Sequence, residues 1–419
     1  MEGKSVIIVP MKSLKGLYRI GPGPSSSHTI APYRAALAFR KLIHDLPVSS
    51  IAITFYGSLA LTGEGHASHK AVVSALEAFS TTIHFDRKTP VRHPLTMLFV
   101  ALDQLGNPLK ETRYFSLGGG ELHSDEDLSV NESEVYPFRS FADIKKAMDD
   151  QGLSTIKDLC LRYEDPDIDD YLMDILKTMF ASVKNGLSAE GPIPANRNPR
   201  LQLRRSAKAV FAAAEKIGHR DGKKEITLSA YAYAVAENSA CGETIVTAPT
   251  CGSSGVLPAC LYYLHVNRRV PLKTLRDSLY VAGMIGNIVK QNASIAGSIG
   301  GCQAEIGTAS SMAAAAICYC MGLSLHQMEY AAECAMEHFL GLSCDPVDGY
   351  VIIPCIERNG IAAIRASASY LFARHIEPVR KNQVSFDNVV EAMKLTGESL
   401  SYAYKETAEG GLAAILRCN

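Results

Sequence analysis

Helical periodicity runs almost without interruption from Ser140 to the C-terminus, and this feature constrains the fold more than any other. Alanine, the strongest helix former, is frequent in the stretches 206–217, 228–237, 310–321, 327–340 and 361–373. Strand patterns are nearly absent from this region. Glycine-rich loops interrupt it at 252–255, 297–301 and 341–349. Because functional residues are often carried on loops of a rigid scaffold, we expect a helical region with its site on these loops.

The first third of the chain has a mixed pattern. A helix is predicted over residues 31–46, and strands over 51–56, 82–85 and 98–105, the last leading through Gly106-Asn107-Pro108 into a second hairpin strand that ends at Phe115. Residues 121–134 lack periodicity and are interpreted as a linker or irregular crossing segment. Since 419 residues exceed what one hydrophobic core usually holds, we predict a multidomain α/β plus all-α protein, with an N-terminal α/β domain (1–136) and a helical catalytic domain (137–419).

Charge and hydropathy exclude several classes of function. With 42 basic and 43 acidic residues, the net charge of −1 indicates no nucleic-acid or anionic-membrane partner. The apolar run Val6–Val9 is too short for a signal-peptide core, and residues 312–321 are too few for a membrane helix. We therefore expect a cytoplasmic protein that acts on a small molecule, and we expect it to be a homo-oligomer.

Three of the eleven cysteines stand out by their positions. Cys302 follows Gly300-Gly301 and precedes a predicted helix, and a helix N-terminus favours the metal-binding thiolate. Cys344 and Cys355 flank a segment with two prolines and a glycine, which has to turn back as a loop. The spacing alone matches neither a zinc ribbon nor a ferredoxin, and on spacing alone buried structural cysteines are the more frequent case.

Longer sequence motifs around these cysteines, and elsewhere in the chain, are more informative than the spacing of the cysteines. They are GCQAEIG around Cys302, EHFLGLSCDPVDG around Cys344 and IPCIERN around Cys355, together with GPGPSSSHT (21–29), YGSLALTGEGH (56–66), YFSLGGG (114–120), TAPTCGSSG (247–255) and ETAEGGLAAILRC (406–418). In this order and spacing the chain resembles the bacterial iron-sulfur L-serine dehydratases. The resemblance covers nearly the whole sequence and implies an N-terminal α/β domain followed by a helical catalytic domain.

The resemblance implies a [4Fe-4S] cluster held by Cys302, Cys344 and Cys355. It also implies that Cys418, near the C-terminus, caps the fourth iron until substrate arrives. The predicted reaction is elimination of water from L-serine to give pyruvate and ammonia. In such a reaction an iron with an open position acts as a Lewis acid on the leaving hydroxyl.

A base is needed for the α-proton of the substrate, and the resemblance implies His66. The reference pKa of imidazole, about 6.5, suits this role. By itself, a histidine beside glycines is more often a solvated loop residue. His28 is the second catalytic candidate, and the substrate-binding candidates are Ser26, Ser27, Ser58 and Thr62. The serines before His28 are also typical of a helix cap before Ala31, and both interpretations can hold.

Three positions depart from the pattern of the family: Cys251 replaces asparagine, Ile299 replaces glutamate and His69 replaces aspartate. Loss of one polar group can change substrate preference, so L-cysteine, L-threonine or another β-substituted amino acid is an alternative substrate. An iron-sulfur sensor without turnover and a binding module with inert cysteines remain alternatives of another class. A pyridoxal-phosphate enzyme would need a Schiff-base lysine, for which Lys290 is the candidate.

Overall fold

A computed structural model of the protein describes residues 11–63, 66–93, 95–193, 202–218 and 222–417. The strands are β1 (Met11–Lys12), β2 (Ile20–Pro22), β3 (Ser50–Tyr56), β4 (Ser80–Asp86), β5 (Thr96–Leu102), β6 (Pro108–Gly118), β7 (Glu121–His123), β8 (Glu134–Tyr136) and β9 (Thr244–Val246). In the N-terminal part the helices are α1 (Ala31–Leu42), α2 (Gly57–Thr62) and α3 (Ser68–Ala75).

Helices dominate the rest of the described chain. They are α4 (Phe141–Asp150), α5 (Ile156–Cys160), α6 (Ile168–Ser188), α7 (Ala207–Lys216), α8 (Lys223–Ala240), α9 (Val256–Arg268), α10 (Leu272–Asn292), α11 (Gly297–Gly300), α12 (Thr308–Cys320), α13 (Leu325–Glu337), α14 (Cys355–His375), α15 (Phe386–Ser399) and α16 (Gly411–Arg417). The predicted mixed N-terminal region and helical C-terminal region are therefore confirmed.

A five-stranded sheet organises the N-terminal part, in the order β4-β3-β5-β6-β7. Strands β3 and β4 are parallel, whereas the other neighbours are antiparallel, including the predicted β5–β6 hairpin. Alternation along β3 buries Ile51, Ile53 and Phe55 against the helices of this part. Strand β7 lies in the segment that the sequence analysis interpreted as a linker, so that segment is partly ordered as the sheet edge.

The helical part is built around α12, in which every residue from Thr308 to Cys318 is buried. Its partners α9, α10, α13 and α14 surround it. A helix buried on all sides needs small or apolar residues all round, which explains the run of alanine and serine between Thr308 and Ile317. Helix α4 begins where predicted, since Ser140 and Asp143 form a reciprocal capping box.

The first described residues join the two parts of the molecule. Met11, Leu14, Leu17 and Tyr18 are buried in the core of the helical part, and β1 pairs with β8. Strand β2 then pairs with β9 of the helical part, and the chain continues into the N-terminal sheet domain. The domain boundary near residue 137 stays a prediction. Within the described ranges, no helix combines the length and apolarity required to cross a membrane.

Candidate active site

The three candidate cysteine ligands lie on separate segments that meet in the helical part. Cys302 is buried directly before a π-helical turn, Gln303–Gly307, that leads into α12. Cys344 is buried in the loop after α13, and Cys355 is the first residue of α14. The backbone N–H of Gln303 donates to the carbonyl of Leu342 at 3.1 Å, which holds the first two segments together. The ten described cysteines are all free thiols.

The three thiols are close enough to influence one another electrostatically. Burial raises the pKa of Cys344 and Cys355 well above the ordinary value, and Cys302 contributes to both shifts. Yet in the described chain the three sulfur atoms do not all lie within 4.8 Å of one another. Thiolates around a single tetrahedral zinc ion would be about 3.8 Å apart, given a Zn–S bond of about 2.3 Å. The three thiols form a cysteine-rich region that could hold a metal.

At Cys302 burial outweighs the predicted effect of the helix start on the thiol pKa, although a backbone N–H at that start does lower it. The position of Cys302 at a helix start was expected to favour the thiolate, but burial raises the pKa of the Cys302 thiol to about 12, despite the lowering effect of the Arg358 guanidinium. The helix terminus acts over one turn, whereas burial removes the whole sulfur from water. Because thiols lose their protons when they bind a metal, metal binding at this site would be coupled to proton release.

Glu305 is a half-buried carboxylate that contacts all three glycine-rich loops. Its Oε1 atom accepts a hydrogen bond from Thr250 Oγ1 at 2.7 Å, and Oε2 lies 4.0 Å from Cys344 Sγ. A Cβ atom at Gly297 would approach Glu305 Oε2 to 2.8 Å and Cys344 Sγ to 3.0 Å, so this glycine is required by close approach. Burial raises the pKa of Glu305.

Two side chains of α14 fix the loops around the cysteines. Arg358 donates to the carbonyl of Ser343 at 2.8 Å and to Asp345 Oδ1 at 2.9 Å, on either side of Cys344. Asn359 Nδ2 donates to the carbonyl of Gly252 at 2.7 Å, and its Oδ1 accepts from Gly255 N at 2.9 Å. The sequence marked both residues only as neighbours of Cys355, and their bridging role depends on contacts that spacing does not reveal.

The C-terminal segment lies against the Cys344 loop. Cys344 N donates to the carbonyl of Tyr404 at 2.8 Å, and Glu406 N donates to the carbonyl of Cys344 at 2.8 Å. At the start of α16, Leu412 N donates to Asp345 Oδ2 at 2.9 Å. Burial and then Glu305 raise the pKa of Glu406 to about 8. Sequence reasoning missed Glu406, and Cys418 lies outside the described residues.

The two candidate catalytic histidines meet in the N-terminal part. The rings of His28 and His66 are 4.6 Å apart between centroids, and both side chains are buried. His28 Nδ1 lies 2.9 Å from Ser27 Oγ, and His28 Nε2 lies 3.2 Å from Ser58 Oγ. Two of the substrate-binding candidates therefore contact a catalytic candidate directly.

The environment of His28 keeps its imidazole neutral. Burial and the neighbouring His66 lower the pKa of His28 well below the ordinary value. A neutral imidazole can accept a proton, and it can also orient a hydroxyl group. Ser25 Oγ accepts from His28 N at 3.2 Å, which confirms that this serine run caps a helical turn.

The remaining candidates have different surroundings. Ser26 is buried in the same turn, whereas the side chain of Thr62 lies outside the described part of the structure. Two of the three departures from the family pattern differ in exposure: Cys251 is buried, whereas Ile299 is 60% exposed. Burial raises the pKa of the Cys251 thiol, and the nearby Glu305 carboxylate raises it further. His69 lies on α3 with its ring 6.3 Å from that of Phe85.

The histidine cluster is connected to the cysteine loops through the β2–β9 pair. Strand β2 leads into the turn of His28, and β9 leads into the loop that carries Thr250. Thr247 N donates to the carbonyl of Arg19 at 2.9 Å, and Arg19 N donates to Thr247 Oγ1 at 3.0 Å. The turn of His28 and the loop of Thr250 are thus anchored to one short sheet where the two parts of the molecule meet.

A second group of possible metal ligands lies elsewhere, on α13. Potential ligand atoms of Cys334, Glu337 and His338 are within 4.8 Å of one another. However, the Arg365 guanidinium lies 3.4 Å from Cys334 Sγ and also contacts the His338 ring. A fixed positive charge at this point opposes cation binding.

Comparisons with known proteins agree with this arrangement. The family model described as serine dehydratase beta chain matches residues 13–83, and the model described as serine dehydratase alpha chain matches residues 88–413. Together the two matches cover most of the chain.

Curated relatives match over nearly their full lengths. The L-serine dehydratase of Streptomyces coelicolor is 36% identical over 97% of this chain and 99% of its own length. That of Helicobacter pylori strain J99 is 36% identical with the same coverage, and L-serine dehydratase 2 of Escherichia coli is 34% identical over 98% of this chain and all of its own. The chain therefore belongs to the serine dehydratase family, in the single-chain form that carries the beta-chain region followed by the alpha-chain region.

Proposed function

We propose that this protein is an L-serine ammonia-lyase that uses a [4Fe-4S] cluster to convert L-serine into pyruvate and ammonia. The observation that carries the proposal is the convergence of Cys302, Cys344 and Cys355 from three chain segments, in a chain that also brings two histidines together in a buried pair. The names of the curated relatives support serine as the substrate.

The donor set suits the cofactor. Cys302, Cys344 and Cys355 would hold the cluster, because soft thiolates favour iron-sulfur groups and the three thiols are buried within electrostatic reach of one another. When bound, the cluster supplies a Lewis-acidic iron for the departing β-hydroxyl. Arg358 contributes a positive charge that partly offsets the thiolates.

The protein itself handles the α-proton. We assign His66 as the base that removes it, with His28 packed against the imidazole at 4.6 Å. Ser26 and Ser27 bind the substrate carboxylate, and Ser58 and Thr62 complete the substrate-binding set. Because His28 contacts both Ser27 and Ser58, its neutral ring fixes the hydroxyl groups that position the substrate.

The substrate preference is open to a direct test. Cys251 is buried beside Glu305, where asparagine would add hydrogen-bonding groups, so L-cysteine and L-threonine are the alternative substrates. Anaerobic reconstitution with iron and sulfide, followed by a screen of small amino acids for keto-acid and ammonia release, ranks them. A reconstituted protein that turns over none of them would be a sensor.

We place the enzyme in the cytoplasm, where thiols stay reduced, and expect a homo-oligomer.

The ligand assignment is tested by single cysteine-to-serine variants. Cys302→Ser, Cys344→Ser and Cys355→Ser are each expected to lose the broad visible absorption and the activity together. Cys241→Ser, at a half-buried cysteine on the C-terminal end of α8, is the matched control and keeps both. Wild-type iron content in all three ligand variants would contradict the assignment.

The C-terminal cysteine has a separate test. We propose that Cys418 caps the fourth iron at rest, since α16 directly before it is tied to the Cys344 loop through Leu412 and Asp345. Cys418→Ala should keep the cluster but speed its decay in air, and should remove any lag before steady turnover. Unchanged air stability and kinetics would show that Cys418 does not reach the iron.

A further inference from the structure

A closed network of ion pairs fills the boundary between the sheet domain and the helical part. Its carboxylates are Glu121, which pairs with Lys12 and with Lys290 at 2.6 Å, and Glu132, which pairs with Arg19 and lies 3.6 Å from Arg34 and 3.8 Å from Lys290. Both carboxylates are largely buried. Within the described chain these cations have no other acidic partner.

The network contains more positive than negative charge. Four cations share two carboxylates, which leaves an excess of two positive charges. The surplus is visible in the side chains themselves: burial and then Arg19 lower the pKa of Arg34 to about 10, and the same two causes lower the pKa of Lys290. Lys12 and Arg34 remain 26% and 32% exposed, whereas Arg19 and Lys290 are mostly buried. A buried charge without a full partner is costly, so a bound anion would stabilise this region.

A cavity of about 280 Å³ opens beside the two lysines of the network. Its polar wall includes Lys12, Lys290, Asn287 and also Glu121, the carboxylate that pairs with both lysines, so the cavity wall carries two positive charges and one negative charge. Its apolar wall includes Leu117, Ile295 and Ala296. The lysine ammonium groups each have three donors, of which Glu121 uses only part. A cavity of this volume has room for a small organic molecule.

We propose that this cavity binds a small organic carboxylate, with Lys12 and Lys290 holding the carboxylate and the apolar wall holding the carbon skeleton. An inorganic oxyanion would use the lysines but leave the apolar wall without a partner. The lining of the cavity in the described chain does not include the candidate catalytic histidines or cysteines, and its wall at 293–299 continues along the chain to Cys302. Binding here does not depend on the proposed function.

Calorimetric titration of the purified holoenzyme tests the proposal, with malonate, acetate and inorganic phosphate as probes at constant ionic strength. We expect malonate to bind, phosphate to bind at least roughly tenfold more weakly, and the affinity for malonate to fall as salt is raised. Lys12→Gln should weaken malonate binding by about tenfold, in line with loss of one charge-assisted contact of about 1.4 kcal/mol.

A second variant provides an independent test of the cavity if Lys12→Gln perturbs folding. Ile299→Glu places a negative charge at the rim, on a side chain that is 60% exposed, and should also weaken malonate binding. Ser27→Ala, at the candidate substrate site, is the control and keeps the affinity. The proposal would be overturned if the wild type did not bind malonate, or if it bound phosphate as tightly as malonate. It would also be overturned if Lys12→Gln and Ile299→Glu bound malonate with the affinity of the wild type, or if Ser27→Ala lost malonate binding.

Discussion

At the scale of single residues, burial controls the chemistry of the candidate site. The thiols, Glu305 and His28 are all shifted towards their neutral forms, because each loses contact with water. For the thiols and Glu305 this raises the pKa, and for His28 it lowers the pKa. Burial therefore favours the uncharged form of each of these groups.

The first prediction concerns the base. His66→Ala should lower turnover of serine by roughly 10²- to 10⁴-fold, because an acid-base group is lost, while the visible absorption of the cluster is kept. Exchange of the α-proton of serine with solvent should fall in parallel, as followed by NMR. His84→Ala, at an exposed position on β4, serves as the control. Near-normal exchange in His66→Ala would move the role of base to His28.

The second prediction concerns pH and stability. The pKa of native His28 lies well below the ordinary 6.5, so below about pH 6.5 the unfolded chain binds a proton that native His28 does not. The contribution of His28 to stability is present above that pH and is lost as pH falls, by up to about 1.4 kcal/mol per pH unit.

The measurement is the thermal unfolding midpoint between pH 7.5 and pH 5.5. His28→Asn should flatten the pH dependence relative to the wild type, whereas His84→Asn, at an exposed histidine, should leave the slope as it is. If the unfolding midpoint of His28→Asn depended on pH as steeply as that of the wild type, the protonation of His28 would not be the cause of the pH dependence.

At the scale of elements, the site is made by loop glycines that allow close approach. Gly301 has φ of +74°, and a Cβ atom there would lie 2.8 Å from the carbonyl of Leu342. Gly297 has an ordinary φ but faces Glu305 and Cys344. The helices supply rigid ends, and the glycines let three such ends come together.

The third prediction tests this close approach. Gly297→Ala should displace Glu305 or Cys344, and we expect loss of iron and of activity, measured as iron content per chain and serine turnover. Gly341→Ala is the matched control, because its φ of +84° strains an alanine while the space around it is open. Gly341→Ala should lose stability but keep iron. Full iron content in Gly297→Ala would contradict the steric argument.

At the scale of the whole molecule, the segment from Met11 to Pro22 ties the sheet domain to the helical part. Leu14 and Leu17 are fully buried, and they occupy space left by Gly283 and Gly286 on α10. The same segment then enters the β2–β9 pair and the turn of His28. The position of the catalytic histidines therefore depends on the helical core.

The fourth prediction follows from this packing. Leu14→Ala should lower the free energy of unfolding by about 2–5 kcal/mol, because it leaves a cavity in a packed core. It should also lower serine turnover, since the histidine cluster loses its anchor. Leu105→Ala, at a position 87% exposed in the β5–β6 turn, should stay within about 0.5 kcal/mol of the wild type. If Leu14→Ala kept the turnover of the wild type, the packing of Leu14 would not be needed to position the histidine cluster.

Local patterns in the sequence were sufficient to predict most of the longer helices and strands. Alternation predicted β3 and the β5–β6 hairpin, and alanine-rich periodicity predicted α7, α8, α12, α13 and α14, because these signals depend on neighbours within a few residues. The motifs, read through the family resemblance, also singled out the cysteines and histidines. The short strand β9 was missed, since three residues carry too little pattern.

Only the tertiary structure decided how these residues act together. The bridging of Asn359, the approach of Glu406 to Cys344 and the cavity beside Lys12 all join segments that are far apart in sequence. The pKa of Cys302 depends on both scales: the backbone N–H groups of the helix start lower it, but burial by distant segments raises it by more. Burial is a property of the packed molecule, so no local pattern could have revealed it.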